Sequence, residues 1–178
     1  MKNVILVIIA FLLSNFVHGQ TITSNKIICS EKEQKIQGSS DPRLIKTCTW
    51  LNYKCISTGE ADYKGRYFYS YQWLKLTNGK FVKIDNAQLF NEKLSQLLEK
   101  INKNIKTNFD DLSKDSENKD CLSEIEKLPV YNINDLDIFI DKDGFTFSYS
   151  FGLSMACLAI DGDYISFSLN EIEPFLKK

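Results

Sequence analysis

An α+β fold, with a mainly antiparallel sheet packed against one long and one or two short helices, is predicted by this 178-residue sequence on three observations. Two alternating runs flank Asn78-Gly79, an apolar stripe at helical spacing runs from Phe90 to Ile105, and a second set of alternating runs fills 136–169. Strands and helices therefore come in segregated blocks instead of strict alternation, which is the α+β pattern.

Taken in order, Thr21 to Cys29 reads as a short strand, followed by polar sequence and a loop signal at Gly38-Ser39-Ser40-Asp41-Pro42. "LIKTCTWLNYKCI" is β-prone, and Ser57-Thr58-Gly59-Glu60 reads as a break after it. "GRYFYSYQWLKLTNGKFVKI" is the clearest hairpin signal, because Asn-Gly tolerates the positive φ angles of a type I′ turn. Asp85 or Asn86 then caps a helix whose Phe90, Leu94, Leu97, Leu98, Ile101 and Ile105 share one face. "NFDDLSKDSENKD" reads as a polar linker, and Asp120 as the cap of a shorter helix, "CLSEIEKL", ending before Pro129.

The C-terminal part returns to β. "DLDIFID" places Leu136, Ile138 and Ile140 on one face, and "DKDG" turns the chain. In "FTFSYSF", Phe145, Phe147, Tyr149 and Phe151 segregate from Thr146, Ser148 and Ser150, so one face is expected to be buried and the other wet. Gly152 bends or ends that strand, and Asp161-Gly162-Asp163 makes another turn. "YISFSL" is expected to bury Ile165, Phe167 and Leu169 before Asn170 caps a last helix, "EIEPFLKK". The two hairpin-rich ends are compatible with halves of one sheet.

The first twenty residues, MKNVILVIIAFLLSNFVHGQ, predict export. Lys2 forms a positive n-region and Val4 to Leu13 an apolar h-region too short to span a bilayer, with cleavage expected before Gln20. Residues 1–19 are thus assigned as signal peptide and 20–178 as a single α+β domain, with no stable membrane span after processing. Cleavage removes His18, the only histidine, and with it Ser-His or Cys-His catalysis and the commonest zinc ligand. It also removes Lys2 from the 22 basic residues against 23 acidic ones, leaving a net charge of −2. With no basic stripe, nucleic acid is not an expected partner. None of the asparagines beyond residue 19 begins an Asn-x-Ser/Thr sequon, which favours a bacterial periplasmic or secreted protein.

Five cysteines in an oxidising compartment read first as disulfides. "CTWLNYKC" suggests a hairpin bridge between Cys48 and Cys55, and Cys121–Cys157 would tie helix to sheet. Cys29 is then unpaired, so a dimer linked through that thiol is a further expectation. No C-x-x-C is present, and irregular spacing without histidine gives no metal centre and no cofactor.

Candidate chemistry is sparse. "DKDG" resembles a calcium loop, but the twelfth position that should be glutamate is Gly152, and a hairpin turn explains it. Asp110-Asp111 and Glu124/Glu126 are the carboxylate pairs that an enzyme acting on cell-wall glycans would draw on. Tyr67, Tyr69, Tyr71 and Trp73 alternate along one strand and are the candidate binding residues. Facing the helices they are core; facing outward they form an amphipathic platform for a protein or a sugar ring.

"IDKDGFTFSYSFGLSMACLAIDGDYISFSLNEIEPFLKK" resembles the end of an exported bacterial domain family, found in lysozyme-sensing anti-sigma factors and beside polysaccharide deacetylase domains. Gly144, Phe145, Phe147, Tyr149 and the Ser168-to-Leu176 ending carry the similarity, and the family-like part spans about 86–178. The segment "SFGLSMACLAI" departs from the pattern by lacking a proline in the bend. The resemblance implies an α+β envelope domain that binds proteins or cell-wall components, and it transfers no active site. The expected function is therefore an exported, non-catalytic binding domain for a protein, such as a lysozyme-type hydrolase, or for an envelope polysaccharide. The alternative is the carboxylate-dependent enzyme.

Overall fold

The computed structural model describes residues 26–35, 42–61 and 67–177. The signal peptide assigned to 1–19, the cleavage site, Thr21 to Asn25 and Gly38 to Asp41 lie outside the described residues.

The α+β architecture is as the sequence predicts, but the strands form two sheets instead of halves of one. The first is a five-stranded antiparallel meander, β1 (Ile28–Gln34), β2 (Arg43–Trp50), β3 (Tyr53–Ala61), β4 (Tyr67–Thr77) and β5 (Lys80–Ile84). The second is β6 (Asp137–Ile140), β7 (Gly144–Tyr149) and β8 (Asp163–Ser168). Between them in sequence stand α1 (Leu94–Leu112) and the one-turn α2 (Lys119–Leu122); α3 (Leu169–Ile172) follows β8. Among the described residues no helix is long and apolar enough to cross a membrane.

Several local expectations shift. The first strand takes the charged "SEKEQ" segment, because an edge strand tolerates charge and is protected by it. Gly59 lies inside β3 and not in a loop, opposite Tyr69. A Cβ there would sit 2.6 Å from the Tyr69 ring, so only glycine lets that ring lie across β3. At the β4–β5 turn Asn78 and Gly79 have φ of 51° and 76°, as the type I′ reading requires.

Asp85 caps a short 3-10 turn, Asn86–Leu89, and α1 begins only at Leu94. Phe90 stands outside the helix and bridges Leu176. Leu97, Ile101 and Ile105 form the buried stripe. The helix runs on into the presumed linker because Phe109 packs edge-on against Phe151, 5.6 Å between ring centres. Asn108 Nδ2 also donates to Tyr149 Oη at 2.5 Å. "CLSEIEKL" contributes a single helical turn, α2, and Ser168, not Asn170, caps α3 through a capping box with Glu171.

Both faces of β7 are more enclosed than period-two segregation predicts. Thr146 is buried between its neighbours Phe139 and Ser166 and shares a 3.0 Å hydrogen bond with Ser166. Ile165, Phe167 and Leu169 are half-buried because β8 is an edge strand.

The bridges are Cys29–Cys48 and Cys121–Cys157, and Cys55 is the free thiol. Cys29, Cys48 and Cys55 stand in one register across β1, β2 and β3, so Cys48 has a cysteine on each side. Antiparallel pairs alternate between close non-hydrogen-bonded and wider hydrogen-bonded positions, and a central residue has one of each. The 4.0 Å Cα separation marks Cys29–Cys48 as the close pair, leaving Cys55 the wide one. A disulfide needs Cβ atoms about 3.8 Å apart, which only the close pair approaches. The Cys48–Cys55 expectation therefore fails, and so does an unpaired Cys29. Cys55 is 2% exposed, which denies it the access that a dimer bridge requires.

Candidate functional site

The inner face of the first sheet carries Glu31 from β1, then Leu44, Lys46, Cys48 and Trp50 from β2. β3 adds Tyr53, Cys55, Ser57 and Gly59, and β4 adds Tyr67, Tyr69, Tyr71 and Trp73. Edge strand β6 lies across this face. Trp73 Nε1 donates to the Ile138 carbonyl at 2.8 Å, and the Ile140 N–H hydrogen-bonds to the Cys55 sulfur. Two backbone groups on the open edge of β6 are thus occupied by side chains of the first sheet. Burial pushes the Cys55 thiol up to about 11, so it stays protonated and inert.

On one side of β6 the face is core. Phe145 stacks on Trp73 at 5.6 Å between ring centres and meets Trp50 edge-on at 6.0 Å. On the other side it is open. Tyr71 stacks on Phe139 with centres 4.7 Å apart and planes 14° from parallel, and Tyr164 meets Phe139 edge-on at 6.2 Å. Together with Tyr69, Lys46 and Glu31 these rings line a groove of about 340 Å³, at the lower end of ligand-pocket sizes.

The four candidate residues therefore do different things. Trp73, 2% exposed, is core and does not line the groove. Tyr71 is half-buried at the groove floor, and Tyr69, 48% exposed, stands in its wall. Tyr67 lies beyond, tilted against Tyr69 and donating to the Pro42 carbonyl at 3.3 Å. Two groove rings were missed, Phe139 and Tyr164. Each carries a legible signal, since an aromatic at Phe139 or Tyr164 interrupts a polar phase (Asp137 and Asp141, or Ser166 and Ser168).

None of the hydroxyls of Tyr69, Tyr71 or Tyr164 hydrogen-bonds to another described residue. Burial, with Tyr164, Asp137, Cys55 and Tyr69 nearby, pushes the Tyr71 phenol up to about 12, so it remains a neutral donor. Glu31 and Lys46 face each other across the β1–β2 register and give the described lining one charge of each sign.

Three of the four candidate carboxylates, Asp110, Asp111 and Glu124, are engaged elsewhere. On exposed α1, Asp110 bonds Lys106 at 2.7 and 2.9 Å, and Asp111 bonds Lys114 at 2.5 Å. Glu124 accepts from Ser154 N and Oγ, each at 2.8 Å, pinning the segment beside the Cys121–Cys157 bridge. In "DKDG", Asp141 Oδ1 accepts from the Asp143 and Gly144 N–H groups at 2.8 and 3.2 Å, the hydrogen bonds of a hairpin turn. Among the described residues no cluster of three or more histidine, cysteine or carboxylate groups is placed to hold a metal ion. A wider depression of about 650 Å³ at Lys75, Asn170 and Lys177 is lined by Asn91, whose amide is committed to the Pro174 and Leu176 carbonyls.

No known protein family, curated protein or solved structure matches the chain.

Proposed function

We propose that the mature chain is an exported, non-catalytic binding domain that takes a cell-envelope component in the groove between β4 and β6. The observation that carries this reading is the placement of the exposed rings of Tyr69 and Tyr164, whose hydroxyls bond to no described residue, around the stacked floor of Tyr71 and Phe139. Soluble proteins bury most of their large aromatics, and a concave cluster left open is a default binding site. The groove presents one carboxylate, Glu31, among its described lining residues. Glycoside hydrolysis by the usual routes needs two, which favours binding over the enzymatic alternative. Two disulfides support an oxidising destination.

The test is co-sedimentation of the mature protein with insoluble envelope material. Wild type should pellet, and Tyr69→Ala/Tyr164→Ala should stay in the supernatant with an unchanged circular dichroism spectrum. Equal pelleting of the two proteins would refute the groove as the binding site.

A further inference from the structure

We infer that the groove is a carbohydrate subsite for a neutral pyranose ring, a proposal that rests on the reading just given. A pyranose with equatorial substituents has apolar C–H faces and a polar rim of hydroxyls. The groove has the complementary make-up, lined by the aromatic rings of Tyr69, Phe139 and Tyr164 together with polar groups from the phenols, Lys46 and Glu31.

Charge narrows the ligand. Among the described lining residues Lys46 and Glu31 balance, and the Tyr71 phenol donates without ionising, so these residues carry no net charge to select an anion or a cation. Lysine as donor and glutamate as acceptor suit a rim of hydroxyls, which does both.

The competing ligand is an extended peptide, and the edge of β6 argues against it. Strand addition needs free N–H and C=O groups on the sheet edge it joins. At the groove's own edge the Ile138 carbonyl is taken by Trp73 and the Ile140 N–H by Cys55. A peptide therefore finds these two β6 groups already taken, whereas a sugar needs no backbone ladder.

The experiment is a titration of the mature protein with cellotriose and triacetylchitotriose, and in parallel with anionic polygalacturonate. It follows the aromatic proton–carbon signals of Tyr69, Phe139 and Tyr164 by NMR. The expected result is saturable shifts of these rings with at least one neutral trisaccharide, weakened at least tenfold in Tyr164→Ala. Tyr71→Phe, which keeps the stacked floor, should weaken binding several-fold through its hydroxyl alone. If neither trisaccharide shifts the rings while wild type still pellets with envelope material in a Tyr69- and Tyr164-dependent way, the sugar assignment falls and the groove reading stands. Shifts with polygalacturonate alone would overturn the neutral assignment. Pelleting that ignores the double substitution would remove the groove reading itself.

Discussion

The two halves of the inner face of the first sheet are built from the same strands in the same register, yet they do opposite work. Towards Trp50, Cys55 and Trp73 the face is closed by Phe145 and becomes core. Towards Lys46, Ser57 and Tyr69 it stays open, with Phe139 and Tyr164 only along its margin. The divider is β6, whose edge groups are bound by Trp73 and Cys55. Strand periodicity decides which face a side chain takes, but the position of the covering strand decides whether that face is core or surface. One row of aromatics consequently passes from surface to core within seven residues, Tyr67 to Trp73.

The comparison can be broken most decisively at its closed end. Trp73→Ala should cost about 3–5 kcal/mol in chemical denaturation, since it opens a cavity. It also removes the donor to Ile138. A cost near zero would mean that β6 does not close the core. Next, Cys29→Ser should cost about 3 kcal/mol by loop-closure entropy, given the separation of 19 residues. Thiol titration of the denatured variant should then count both Cys48 and Cys55 as free. A new Cys48–Cys55 bridge would show that the wide pair can close after all.

Burial of titratable groups should also register in alkali. Tyr71 and Tyr131 are pushed up to about 12 and Cys55 to about 11, each first by burial. Their pKa values are raised on folding, so the stabilisation is complete below pH 9. It is lost as pH rises through 9–12, because the unfolded chain ionises first. The contribution of these groups to the unfolding temperature should be level up to pH 9 and fall from pH 9 to pH 12, and a flat profile there would contradict their burial.

At the open end the expected stability effects are smaller. Gly59→Ala should change stability by no more than about 1 kcal/mol. By lifting the Tyr69 ring off β3 it should still weaken envelope binding several-fold. Tyr164→Ala, at a side chain 63% exposed, should stay within about 0.5 kcal/mol of wild type while reducing retention. A large stability loss there would place Tyr164 with the core and sharpen the boundary differently.

Much of this arrangement was legible in the chain. Asn78-Gly79 specifies its hairpin through local backbone preference alone. The 97–101–105 stripe specifies a helical face through periodicity. The core and surface ends of the Tyr67–Trp73 row were not legible, since both have the same pattern and differ only in what another sheet does to them. The cysteine pairing was hidden for a related reason. Cys48 stands opposite Cys55 as the hairpin implies, but the closer partner arrives from β1, 19 residues upstream, by a register no spacing rule contains. Phe139 and Tyr164 were visible as misplaced aromatics, yet their convergence with Tyr71 depends on how β6 crosses the first sheet.

Tyrosine nitration of the mature protein, free and bound to envelope material, with sites mapped by mass spectrometry, tests the division most directly. In the free protein Tyr69 and Tyr164 should react while Tyr53, 1% exposed, does not, and binding should protect Tyr69 and Tyr164 together. Undiminished nitration of both in the bound state would show that the open half of the face is not where the ligand sits.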